Sequence, residues 1–277
     1  MSLIFISVSC YSGNAQFETN EENVDFLIAK GKLFWEQRTN KGSLEKSERF
    51  ISLACTERPN DFELLILLSK IKYTHARFIQ KDSARQKALL LDGSRIAKNA
   101  VLNHSKFSST LKESIEDSSF RILSSVTNAP KEVLPGLYWW AVNQIQYLSN
   151  QPVLERLNQR ELLEALMHRV LSLDPGFNYS GPYRFFGFLY TRIPGVELTQ
   201  SETYFKQAIN SHPEYLMNSI SMAEYYHQKE GNREQFNTIL KNVIGTDINK
   251  YPEIMNENYF SKSHAQLLID KQSSMFE

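Results

Sequence analysis

The sequence predicts an all-α protein made of antiparallel helix pairs, on three observations. Glycine is scarce, with 11 residues in 277, and no run alternates β-branched and polar residues as a half-buried strand would. Apolar residues instead recur at i, i+3 and i+4, between short breaks of Asn, Asp, Gly, Ser and Pro. Finally, three prolines that would each stop a helix are preceded by the same arrangement of small and large residues, which points to an internal repeat.

The first helix is predicted over residues 23–38, where Phe26, Leu27, Leu33 and Phe34 share a face. The Thr39–Ser43 break and Glu45 lead into a second helix that ends at Pro59. Residues 61–80 and 83–105 form the next pair, and 109–125 reads as a more polar helix. Pro135 opens a helix over 137–148, and 152–173 follows as one further helix. Gly181-Pro182 starts the helix over 182–192, and Pro194-Gly195 ends it. Helices over 201–210, 214–229, 232–244 and 256–272 complete the series.

The repeat is read by counting back from Pro59, Pro175 and Pro213. Ala54, Val170 and Ala208 stand five residues earlier; Ile51, Met167 and Phe205 stand eight earlier; Ser47, Leu163 and Ser201 stand twelve earlier. Small residues let helices approach and a large one fills the groove between them, as in the second helix of a tetratricopeptide unit. The 116 residues between Pro59 and Pro175 leave room for two unmarked pairs, with Ala97 and Val101 as a degenerate member. The first-helix glycine of the pattern is evident at Gly187. The architecture expected is a degenerate tetratricopeptide α-solenoid or bundle around a groove or pore. A helical bundle without repeats is the competing reading.

Composition narrows the function. Hydrophobic residues make up 42% and charged residues 22%, as in an ordinary globular domain. Lys+Arg 31 balances Asp+Glu 31, so no overall field exists to draw nucleic acid. The chain divides into a signal-like segment and tether, 1–21, and a single helical domain, 22–277. The apolar start Leu3-Ile-Phe-Ile-Ser-Val-Ser-Cys is too short to span a bilayer. It is similar to the end of a bacterial lipoprotein signal, with Cys10 as the residue to be lipidated, although no Lys or Arg precedes it. An incidental cysteine is the other reading. Cys55, at helical spacing from Phe50 and Ser52, reads as a small buried hydrophobe.

No catalytic constellation is visible. The six histidines are scattered, and there is no His-Glu-x-x-His pair, glycine-rich phosphate loop or Gly-x-Ser-x-Gly elbow. No enzyme, metal site or cofactor is expected. A binding surface is better supported. The 137–148 helix is apolar or aromatic on nearly every face, yet carries Asn143 and Gln144 among Trp139, Trp140 and Tyr147. Flat apolar walls with a few amides suit a ligand cavity as well as a core. The next helix offers Tyr183, Arg184 and Tyr190. There Arg184 could either pair with a ligand carboxylate or bridge carbonyls and an acidic neighbour such as Glu224. Trp139, Trp140, Asn143, Tyr183, Arg184 and Tyr190 are therefore the candidate ligand-binding residues.

Residues 181–195, Gly-Pro-Tyr-Arg-Phe-Phe-Gly-Phe-Leu-Tyr-Thr-Arg-Ile-Pro-Gly, resemble a signature of the T-component family associated with TRAP transporters. The resemblance continues through Tyr204-Phe-Lys-Gln-Ala, Ser221-Met-Ala-Glu-Tyr-Tyr and the 256–276 segment, with Val196–Gln200 in place of the family's Gly-Gly pair. It implies a periplasmic lipoprotein of degenerate tetratricopeptide helices around a hydrophobic groove or pore. It also implies no enzyme, and a partner in the solute-binding component of a secondary transporter. The functional expectation is a protein that holds a small, partly apolar solute, either hydrophobic or carboxylated, and docks that partner. The alternative is a tetratricopeptide scaffold of the cell envelope that takes a peptide. Self-association is left open.

Overall fold

Several helices begin where the sequence supplies a side-chain cap. Asp61, Asp82 and Asn232 accept hydrogen bonds from the backbone N–H of Leu64, Arg85 and Gln235 at 3.0, 2.8 and 3.1 Å. Turns end where glycine supplies the left-handed conformation, as at Gly231 with φ 77°. The computed structural model describes residues 15–113 and 118–276, and the regular structure among them is helical, without strands.

In chain order the helices are α1 (Ala15–Glu36), α2 (Ser43–Glu57), α3 (Phe62–Thr74), α4 (Ser83–Asn103), α5 (Ser105–Glu113), α6 (Ser118–Thr127), α7 (Leu134–Leu148) and α8 (Val153–Asn158). They continue with α9 (Arg160–Leu173), α10 (Phe177–Arg192), α11 (Leu198–Ser211), α12 (Met217–Ser221), α13 (Gln228–Glu230), α14 (Arg233–Gly245) and α15 (Met255–Met275). Antiparallel pairs form between α1 and α2, α3 and α4, α7 and α9, α10 and α11, and between the α12–α13 rod and α14; α15 packs on α14. The short α5–α6 hairpin is attached between α4 and α9.

A common register runs through these pairs. Residues at i, i+4 and i+7 of the second helix are buried in α2 (Ser47, Ile51, Ala54), α9 (Leu163, Met167, Val170), α11 (Ser201, Phe205, Ala208) and α14 (Phe236, Leu240, Val243). In two pairs the serine hydroxyl donates to a glycine carbonyl of the first helix: Ser47 to Gly31 at 2.8 Å, and Ser201 to Gly187 at 2.6 Å. A Cβ on Gly31 would lie 2.4 Å from Ile51, and one on Gly187 would lie 2.7 Å from Phe205. Gly31 is thus a second first-helix glycine, in addition to Gly187. In the α3–α4 pair the roles are exchanged, and Ser69 of the first helix donates to Gly93 of the second at 2.8 Å.

The helix expected over 152–173 is broken at Gln159 into α8 and α9, and the one expected over 109–125 is replaced by α5 and α6. The first helix starts at Ala15, inside the segment expected as a tether. The 182–192 helix is preceded by a turn that the sequence does not announce. Asn178, Tyr179 and Ser180 lie in the left-handed region, with φ of 49°, 56° and 60°, ahead of Gly181-Pro182. Three consecutive non-glycine residues in this conformation store about 1–3 kcal/mol of strain each, so the surroundings must enforce it. Two π-helical turns also depart from regularity, His75–Ile79 after α3 and Met222–His227 between α12 and α13.

The pairs curve until the last inner helix meets the first. Arg38, just beyond α1, donates to Glu257 of α15 at 2.7 Å, and Asn256 donates to the Glu36 carbonyl at 2.9 Å. Apolar side chains pack as three clusters along the arc, each formed between neighbouring pairs, as expected when every unit touches only its neighbours. Cys55 lies in the N-terminal cluster, where burial pushes its thiol up to about 12 and leaves it unreactive. Among the described residues no helix is long and apolar enough to cross a membrane.

Candidate functional site: a channel lined by the inner helices

Because the ring closes, α3, α7, α10, α12 and α15 enclose a channel at its centre. Two adjoining cavities of about 40 Å³ each share Tyr73, Tyr138, Val142, Arg184 and Met217, which form the waist between them. The outer helices α2, α4, α9, α11 and α14 contribute nothing to these two cavities. Each has room for only a few water molecules. Past Arg77, Gln146, Phe188 and Tyr225 the channel widens to about 210 Å³, and beyond Arg192 to about 450 Å³.

Arg184 sits at the waist. It donates to Asn218 Oδ1 at 2.5 Å, to Tyr138 Oη at 3.1 Å, and to the carbonyls of Tyr179 and Asn178 at 3.2 and 3.3 Å. Its guanidinium also lies 4.9 Å from the Tyr215 ring centre. Asn218 in turn donates to the carbonyls of Tyr179, Ala208 and His212. Two carbonyls of the left-handed turn therefore point at one cation, which is what holds that turn in place. Among the described residues no carboxylate touches Arg184, and a guanidinium stays charged at any physiological pH.

The two π turns face each other across the wide side of the waist. Arg77, on the first, donates to Glu224 at 3.2 Å and to the Tyr225 hydroxyl at 3.0 Å, both on the second. His264 of α15 lies 3.0 Å from the same carboxylate. Burial alone would raise the Glu224 carboxyl, but the charges of His264 and Arg77 outweigh it and hold it at about 2. The extra residue in each π turn aims these groups inward, a use to which such bulges are often put.

The sequence-predicted residues separate on the structure. Trp139 and Arg184 line the channel, and Trp139 meets Tyr73 and Tyr138 at 5.5 and 5.2 Å between ring centres. Trp140, about 100° further round the same helix, is buried beneath Lys98 and does not line it. Asn143 is fully buried at the α3–α4–α7 crossing and donates to Ser69 Oγ and to the Trp139 carbonyl. Tyr183 and Tyr190 both face Tyr204 of α11, away from the lumen. Sequence reasoning missed Tyr73, Tyr138, Tyr215 and Asn178, each aromatic or amide but lacking any motif. Cys10 lies outside the described residues.

One pair has the spacing of a nucleophile and its base: Ser180 Oγ is 2.7 Å from His212 Nδ1. Ser180, however, has no exposed surface, and neither residue lines the channel, so no substrate reaches the hydroxyl.

A closed arc of helix pairs around an aromatic-lined cavity, with a part-buried arginine at its waist, defines an all-α protein whose inner helices share one internal site. A family model described as TRAP transporter T-component matches residues 57–276, and the chain belongs to that family. Membership makes it an accessory component of this class of transporter. Among curated proteins, none matches the chain.

Proposed function

We propose that this protein is a non-catalytic envelope component that holds a small, partly apolar solute at the channel waist and passes it to or from a solute-binding partner. Lipidation at Cys10 would anchor it on the periplasmic side. What supports the reading is Arg184, a part-buried cation without a carboxylate partner among the described residues, set between Trp139, Tyr138 and Tyr215 in a channel open toward a wider end. A carboxylate entering there could take over hydrogen bonds now made to the backbone carbonyls. The waist is narrow, so a solute larger than a few atoms requires the side chains of Tyr73 and Met217 to turn aside.

Of the six candidate residues, Trp139 and Arg184 are assigned to the solute, whereas Trp140, Asn143, Tyr183 and Tyr190 are assigned to supporting the walls. The test is native mass spectrometry of the soluble domain purified under mild conditions, for the wild type and for Trp139→Ala and Trp140→Ala. A small molecule retained by wild type and Trp140→Ala but lost from Trp139→Ala supports this reading. A bare mass in all three shifts weight to a tetratricopeptide scaffold that takes a peptide segment.

A further inference from the structure

The widest part of the channel lies between α8, the end of α10 and α13, and its chemistry differs from that of the waist. Its cavity of about 450 Å³ is bordered by Arg156, Arg192 and Lys229, with Tyr225 and Gln228, and no lining residue is acidic. None of the three cations joins an ion pair among the described residues. The Nε atoms of Arg156 and Arg192 are buried and have no hydrogen-bond partner. A buried donor left without a partner is unfavourable, and a ligand oxygen that reached it would relieve that. The remaining contacts are few. Arg156 reaches the Ser149 carbonyl at 3.4 Å, Lys229 reaches that of Thr191 at 2.5 Å, and Arg192 lies 5.4 and 5.6 Å from the rings of Phe188 and Tyr225.

We propose that this vestibule is a binding site for a small soluble polyanion bearing carboxylate or phosphate groups. Two forked guanidiniums and an ammonium with no counter-charge supply the donors, and the unpartnered Nε atoms are those an oxyanion would satisfy. The volume suits a ligand of metabolite size, which the waist does not. Desolvation, and then the charges of Arg192 and Arg156, lower the Lys229 pKa, in keeping with a cluster of cations that no anion offsets. The proposal does not depend on a solute occupying the waist.

The experiment is isothermal titration of the folded domain with citrate and with inorganic phosphate at constant ionic strength, beside sedimentation with phosphatidylglycerol vesicles. Saturable binding of either anion at one site is expected, weakened by about tenfold or more in Arg156→Gln and Arg192→Gln. Arg192→Lys, which keeps the charge and loses the fork, should fall between wild type and Arg192→Gln. Lys241→Gln, on the exposed face of α14, should bind as wild type does. Thermal melts confirm that each variant is folded. Absence of saturation, equal binding by all variants, or vesicle binding that neither anion displaces would each overturn the assignment.

Discussion

Cations at the seams of the ring and at its wide mouth are in opposite states. At the seams that close the ring, each meets a carboxylate: Arg38 pairs with Glu257 between the first and last inner helices, and Arg77 pairs with Glu224 between the π turns. In the vestibule, Arg156, Arg192 and Lys229 meet none. A chain with no net charge has thus kept its acids where helices must be joined and left them out where the channel opens. The paired cations are structural, since removing a partner strands a buried charge. The unpaired ones repel one another, and under the proposal above an arriving anion supplies the missing counter-charge.

The largest expected effect tests the paired state. Glu224→Gln leaves Arg77 buried beside a neutral amide and should destabilise the fold by about 3–5 kcal/mol, the cost of breaking a buried pair. Urea unfolding at neutral pH measures it, and a loss below about 1 kcal/mol would show that the seam does not hold the ring. The same carboxyl fixes an acid limb. Its folded-state value of about 2 lies below the ordinary 4.5, so its stabilisation is full above about pH 4.5 and disappears as pH falls toward 2. Wild type should lose stability across that window, and Glu224→Gln should lack this part of the loss.

Next is Glu257→Gln at the other seam. Glu257 is more accessible than Glu224, and Arg38 keeps the Trp35 carbonyl at 2.9 Å and the Trp35 ring. The expected cost is about 1.5–3 kcal/mol, that of a lost charged hydrogen bond. Hydrogen exchange localises the effect: amides of α1 and the start of α15 should lose protection while α10 and α11 keep theirs. Uniform loss across the molecule would mean that closure is cooperative with the whole arc.

How much of this could be read from the chain depends on which signals are local. Ser201, Phe205, Ala208 and Pro213 announce their helix because all four sit on one stripe at fixed spacing, and the structure buries the first three. Gly31 performs the same task as Gly187, but no proline-anchored pattern marks the first helix of a pair, so it passed unnoticed. The left-handed Asn178–Ser180 turn has no glycine to betray it, being enforced by Arg184 from a turn away. α7 is apolar all round, so the sequence placed both tryptophans in one candidate set where the fold turns only Trp139 inward. The vestibule had one available signal: Arg156, Arg192 and Lys229 stand 36 and 37 residues apart, close to the repeat spacing. Equivalent positions in successive units meet at one end of the arc, and a search for charge at the repeat period would have found them.

The smallest expected effect sharpens the comparison most. If the vestibule cations are held against repulsion rather than used by the fold, then Arg156→Gln, in the short and largely exposed α8, should change stability by no more than about 0.5 kcal/mol. The sign is expected to be neutral or favourable, because one like charge is removed and only a 3.4 Å contact to the Ser149 carbonyl is lost. Salt separates this from an inert surface residue. At 0.15 M the screening length is about 8 Å, so added salt should stabilise wild type by relieving the cluster, and the gain should shrink in Arg156→Gln. A destabilised variant whose salt response matches wild type would place Arg156 with the structural cations, and the division of the channel into paired seams and an unpaired mouth would not stand.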